Sequence, residues 1–273
     1  MIKLIAFIVP TIFLLVACTN AGSAENRESS SEEIIDKIEL AEDSIENVAL
    51  DFELDKDFLL GRINQYSDPR FEELTIAAAT RENIFVLKKV AIAFTEMQAA
   101  AKADGTTLKV LSGTRNFSEQ KRIWERKWNG QKLVEDQNLS ETIKDPVLRA
   151  KKIMEYSSMP GTSRHHWGTD IDINSLTSSY FTTGKGKTEY EWLLKNAVNF
   201  GFCQTYTDKA SGRTGYNEEE WHWTYFPISS SLSSGYSADI NYADITGFEG
   251  SEVAEAVQAI AHYVLGVNKD CVK

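Results

Sequence analysis

Pro160-Gly161-Thr162-Ser163-Arg164-His165-His166-Trp167-Gly168-Thr169-Asp170-Ile171-Asp172 holds two of the four histidines in the chain. Its Pro-Gly pair signals a turn. The alternation Thr169-Asp170-Ile171-Asp172-Ile173 at its end reads as a strand. A loop carrying histidine thus runs into a strand carrying carboxylates. Imidazole nitrogen and carboxylate oxygen both ligate divalent metals such as zinc. His165 and Asp172 bracket the turn, and Gly168 between them lets the backbone change direction sharply. Residues two apart on a strand share a face, so this pattern leaves both Asp170 and Asp172 able to approach a metal. A third ligand must come from elsewhere, and Glu219-Glu220-Trp221-His222-Trp223 is the obvious place.

Upstream of this stretch, apolar residues recur at helical spacing (Ile84, Leu87, Val90, Ala91, Phe94, Met97) and predict a helix over 82–103, closed by Asp104-Gly105. Thr107 to Leu111 alternates as a strand. Asn116 and Glu119 form a capping-box pattern for a helix through Trp128, ended by Asn129-Gly130. Asp145-Pro146 places aspartate at an N-cap and proline at the first helical position of the next helix. Downstream, 191–200 reads as a helix stopped by Gly201, 203–206 as a short strand, and 207–216 as a loop. The last clear strand is 221–225, ended by Pro227. Serines and glycine fill 229–235, and a closing helix is expected over 251–265. Helices and short strands mix without regular alternation. The fold class is therefore α+β, with a small antiparallel sheet carrying the metal site and helices flanking it.

His222 can complete a three-ligand zinc site with an open fourth position, which lowers the pKa of a water to about 7. Glu219, three residues earlier, fits a general base, with Glu220 as its rival. Arg115, in Ser112-Gly113-Thr114-Arg115, offers a permanently charged fork for a substrate carboxylate or a developing oxyanion. His166 adjoins a ligand but points away on extended backbone. His262 and the tryptophans at 124, 128 and 192 read as packing residues.

Ser163-x-His165-x-x-Gly168-x-x-x-Asp172 followed by Glu219-x-Trp221-His222 resembles the signature of the VanY-type D-alanyl-D-alanine carboxypeptidases. These belong to a wider group with lysostaphin-type peptidases and the hedgehog signalling domain. The upstream Ser112-Gly113-x-Arg115-x-x-x-x-Gln120 is similar to that family's Ser-Gly-Tyr-Arg-Ser-x-x-x-Gln pattern, and the blocks occur in the family's order over roughly residues 80 to 230. The resemblance implies Zn2+ on His165, Asp172 and His222, with Glu219 as catalytic base and Arg115 stabilising the transition state. Gln120 and Ser163 would hold the terminal D-alanine, and Trp221 would shape the pocket wall. Two departures stand out: Asp170 stands where the family usually has alanine, and Thr114 where it usually has tyrosine.

The chain's 273 residues carry a net charge of -11, and 42% are hydrophobic. That balance disfavours nucleic acid or an anionic membrane surface as the main partner. Lys3 and the apolar run 4–16 form a targeting segment, too short for a membrane span of about 20 residues. Leu15-Val16-Ala17-Cys18 resembles a bacterial lipoprotein box, which implies a signal peptide over 1–17 and lipidation of Cys18. Residues 18–50 are rich in Ser, Glu, Asp and Asn and read as an acidic tether, with a short helix over 32–45. The folded domain spans 51–273. Export favours pairing of the remaining cysteines, Cys203 and Cys271.

The sequence reading is thus an exported, lipid-anchored, monomeric zinc D,D-carboxypeptidase facing the cell wall or periplasm and acting on peptidoglycan stem peptides. An L,D-carboxypeptidase, a cross-link endopeptidase and a catalytically inactive zinc-containing binding module are its alternatives.

Overall fold

Short strands hold the site and helices pack around them. The computed structural model describes residues 50 and 52–272. The signal segment, Cys18, the 32–45 helix and nearly all of the tether lie outside the described residues. In chain order the elements are α1 (Lys56–Leu59), β1 (Phe71–Glu73), β2 (Phe85–Leu87), α2 (Lys88–Ala103), β3 (Val110–Ser112), α3 (Phe117–Trp128), α4 (Leu139–Thr142), α5 (Pro146–Ile153), β4 (Asp170–Ile173), α6 (Gly184–Asn196), β5 (Phe202–Gln204), β6 (His222–Tyr225) and α7 (Phe226–Asp239). The fold is α+β, as the sequence implies.

β1 and β2 pair antiparallel, and β3-β4-β6-β5 form a second sheet whose neighbours are all antiparallel. All four residues of β4 are buried. Its register sets Asp170 opposite Thr224, Ile171 opposite Trp223 and Asp172 opposite His222. Opposed residues of an antiparallel pair share a face. Pairing alone therefore brings Asp172 and His222 together, with Asp170 two residues further along the same face.

The helix caps follow the sequence. Asn116 and Glu119 make the reciprocal capping box of α3, and the Asp145 side chain accepts from Leu148 N at the start of α5. Trp124 and Trp128 of α3 stack at 5.8 Å inside the core, and Trp192 is buried as well.

Some elements differ from expectation. The helix expected over 82–103 begins only at Lys88. Asn83 has φ 62, and Phe85–Leu87 leave the helix to pair with Phe71–Glu73. Aromatic and β-branched residues suit that strand once a partner exists. The third strand lies at 110–112 rather than 107–111, and the helix expected over 191–200 starts at Gly184. Pro227 does not end structure but opens α7, where the first turn tolerates proline. Ile228, Leu232 and Tyr236 bury one face of that helix, together with Ser229 and Ser233. The expected closing helix is broken into a 3-10 turn at Ser251–Val253 and a π-turn at Ala259–Val264, because Gln258 adopts φ 54.

Cys203 of β5 and Cys271 form a disulfide that ties the C-terminal segment to the sheet edge. Among the described residues no helix is long and apolar enough to cross a membrane.

Candidate active site

A 3-10 turn, Arg164–Trp167, delivers the histidines to the head of β4. Gly168 ends it at φ 72, and a Cβ there would lie 2.6 Å from Phe71 Cε1. Only glycine meets both demands. On the far side of this turn His165 Nε2 stands 3.4 Å from Asp172 Oδ1. His222 Nδ1 stands 3.4 Å from the same oxygen. The three side chains are buried, and their ligand atoms lie within 4.8 Å of one another.

The outer ring nitrogens fix the tautomers. His165 Nδ1–H donates to Gly113 O (2.8 Å), which leaves Nε2 as a lone pair facing inward. His222 Nε2–H donates to Asp170 Oδ1 (3.0 Å), so Nδ1 is the nitrogen left to face inward. His165 Nε2 and Asp172 Oδ1 are buried without a hydrogen-bond partner. Uncompensated polar atoms are costly, and three convergent N and O donors are the set that zinc takes. The residues therefore fit the metal. Asp170 does not compete for it. Its Oδ1 accepts from Arg164 Nε and His222 Nε2, and its Oδ2 from the hydroxyls of Thr169 and Thr224. The position that the sequence left open as a ligand is committed elsewhere.

The electrostatics suit a cation. Burial alone would lower the pKa of His222, but hydrogen bonds to Asp170 and Glu219 outweigh it and push the group up to about 9. Asp172 is lowered to about 2, because His165 and His222 outweigh the burial that would raise it. Burial, reinforced by Arg115, lowers His165. Glu219 is raised by burial, against the pull of His222. The carboxylates around His222 thus favour positive charge at this position.

Glu219 Oε2 lies 3.2 Å from His222 Nδ1, and its side chain lines an open cleft with Arg115, Gln120 and Tyr156. Glu220 does not line that cleft; its carbonyl accepts from Trp223 Nε1. Arg115 Nε and Gln120 Oε1 are buried without partners. Gln120 Nε2 donates to Ser158 O, so the amide presents its oxygen, an acceptor, rather than a donor. Ser163 Oγ is also buried and unpartnered, but Ser163 is not among the residues lining the cleft. Trp221 packs on Tyr156 with centroids 6.3 Å apart, and it is Tyr156 that faces the cleft.

His166 corrects one expectation. The backbone is a 3-10 turn rather than extended, and the ring is fully buried. Its Nδ1–H donates to Arg115 O, and its Nε2 accepts from Gly161 N. With Arg115 N donating to His165 O, it latches the arginine loop to the histidine turn. Sequence reasoning also missed Tyr206, whose ring meets His222 edge-on at 4.6 Å, and Tyr216, whose buried hydroxyl lacks a partner in the cleft wall. Nothing in their local sequence marks them, since both arrive through tertiary packing.

The chain is similar to known proteins. A D-alanyl-D-alanine carboxypeptidase of Enterococcus faecalis is 32% identical over 129 residues, which is 47% of this chain and 44% of the relative. The chain thus spans less than half the length of that relative. A solved vancomycin-resistance D,D-pentapeptidase VanY mutant in complex with Zn(II) superposes with a TM-score of 0.45 and 25% identity, covering 64% of this chain and 88% of that one. A solved LdcB LD-carboxypeptidase superposes with a TM-score of 0.46 and 23% identity over 64% of this chain and 76% of that one. The family model for VanY, D-alanyl-D-alanine carboxypeptidase, matches residues 83–228, just over half of the chain and the whole span from β2 to the start of α7. The chain belongs to the VanY D-alanyl-D-alanine carboxypeptidase family.

Proposed function

We propose that this protein is a zinc-dependent D,D-carboxypeptidase that removes the terminal D-alanine from peptidoglycan stem peptides. The observation that carries the reading is the convergence of His165 Nε2, Asp172 Oδ1 and His222 Nδ1 beside Glu219 at an open cleft. His165, Asp172 and His222 hold the metal. A bound zinc ion supplies a Lewis acid for the scissile carbonyl and lowers the pKa of a water to about 7. Glu219 takes the proton from the attacking water and delivers it to the amine of the leaving D-alanine. Its raised pKa suits a group that must both accept and release that proton. Arg115, latched by both histidines, stabilises the oxyanion. The free oxygen of Gln120 accepts from a substrate N–H, while Ser163, buried behind the cleft lining, supports the D-alanine end from beneath without touching it. Trp221 acts through Tyr156 on the cleft wall. The protein works as a monomer, exported by segment 1–17 and held by a lipid on Cys18, with tether 18–50 and catalytic domain 51–273.

The test is mass spectrometry of pentapeptide and tetrapeptide muropeptides incubated with residues 51–273, with and without a chelator. Loss of one alanine from pentapeptide alone, blocked by the chelator, is expected. Loss from tetrapeptide would make the enzyme an L,D-carboxypeptidase, and cleavage of a cross-link an endopeptidase. No cleavage by folded, zinc-loaded protein overturns the enzymatic reading in favour of a binding module.

A further inference from the structure

We propose that Asp170, locked by Arg164, is a positioning residue for the metal site: it holds the His222 ring so that Nδ1 faces His165 and Asp172, and thereby strengthens metal binding. The inference rests on the metal reading above and adds a residue that touches neither metal nor substrate. The side chains of Arg164 and Asp170 are both fully buried, their charges joined at 3.0 Å. A buried ion pair is by itself weak evidence for stability, since desolvation offsets its attraction. The pair's surroundings indicate what it does instead.

The carboxylate of Asp170 has no freedom left. Oδ1 is shared by Arg164 Nε and His222 Nε2, each at 3.0 Å. Oδ2 accepts from Thr169 Oγ1 at 2.7 Å and Thr224 Oγ1 at 2.9 Å. Arg164 is pinned in turn. Nη1 donates to Ser233 of α7 (2.9 Å), Nη2 donates to Thr224 of β6 (3.1 Å), and the guanidinium lies 4.7 Å from the Trp167 ring centroid. The histidine turn and β6 thus meet on one β4 carboxylate whose outward bond goes to His222, and α7 joins them through Arg164. An imidazole with both nitrogens near acceptors has two ring orientations and two tautomers. The Asp170 bond selects the one that leaves Nδ1 free for the metal. A carboxylate on the far nitrogen of a metal-binding histidine typically accounts for 10–100-fold in affinity.

The experiment is zinc affinity of the purified full chain by competition with a chromophoric chelator, alongside circular dichroism and melting. Asp170→Asn, nearly isosteric but uncharged, is expected to bind zinc about 10–100-fold more weakly with an unchanged spectrum. Wild-type affinity in folded Asp170→Asn overturns the inference and leaves the metal reading standing. Should Asp170→Asn unfold because Arg164 is left buried and unpaired, the charge-balanced Arg164→Met/Asp170→Asn protein takes its place under the same criterion. Wild-type protein that binds no zinc, or binding that survives His222→Ala intact, overturns the metal reading and this inference with it.

Discussion

Three carboxylates crowd His222, and each has a different job because each meets different neighbours. Asp170 is saturated by one cation, one imidazole and two hydroxyls. Asp172 keeps an orphaned oxygen aimed between two imidazoles. Glu219 stands at the cleft with its pKa raised by burial. The proposed division of labour predicts that Glu219→Gln retains zinc within a few-fold but loses roughly 10²- to 10⁴-fold in turnover, as expected for a general base. Chelator competition and a stopped muropeptide assay read the two quantities separately. Near-full turnover in that variant would overturn the base role of Glu219. Residue types and spacing made His165, Asp172, His222 and Glu219 legible in the sequence. They left Asp170 ambiguous, because its fate depends on Arg164 and on Thr224, which is 54 positions away.

At the scale of elements, the turn before β4 and helix α3 carry separate tests. Gly168→Ala forces a side chain into a left-handed backbone and against Phe71, Thr114 and Leu87. The backbone strain alone costs about 1–2 kcal/mol, so a lower urea midpoint, equivalent to at least that loss of unfolding free energy, is expected. An unchanged midpoint would show that the turn can relax without loss. Lys127, on α3, donates to Ser157 Oγ. Burial, helped by Lys132 and Arg115 and opposed by Glu219, lowers its pKa to about 8. Between that value and its ordinary 10.5 the unfolded chain holds the proton that the folded chain has released, so stability rises with pH across this window. Denaturation measured at several pH values should show the rise in wild type and lose it in Lys127→Met. The capping box of α3 and the N-cap aspartate of α5 were legible, because each is closed within a few residues of sequence. The strand at 85–87 was not, since an apolar run of that length fits helix and strand equally until Phe71–Glu73 pairs with it.

For the molecule as a whole, the disulfide closes a loop with a sequence separation of 68 between sheet edge and C-terminal segment. In the chain-entropy account a loop of that length stabilises by about 4 kcal/mol. Reduction, or Cys271→Ser, is expected to lower the melting temperature by roughly 8–16 °C, taking 2–4 °C per kcal/mol for a domain of this size. A shift of only a degree or two would mean that the tail is held by its packing instead. By itself the sequence determined the α+β class, the order of the site's blocks, the candidate donors and the helix caps. These rest on short-range chemistry: residue type, side-chain periodicity and hydrogen bonds closed within a turn. Tertiary structure alone decided that Asp172 and not Asp170 faces the other two donors, that His166 latches the arginine loop, and that Tyr156 rather than Trp221 lines the cleft. Each of these follows from strand register or from packing between distant segments. A one-residue slip of β4 against β6 would turn Asp170 and Asp172 to the other face, and no local preference records which register the folded chain adopts.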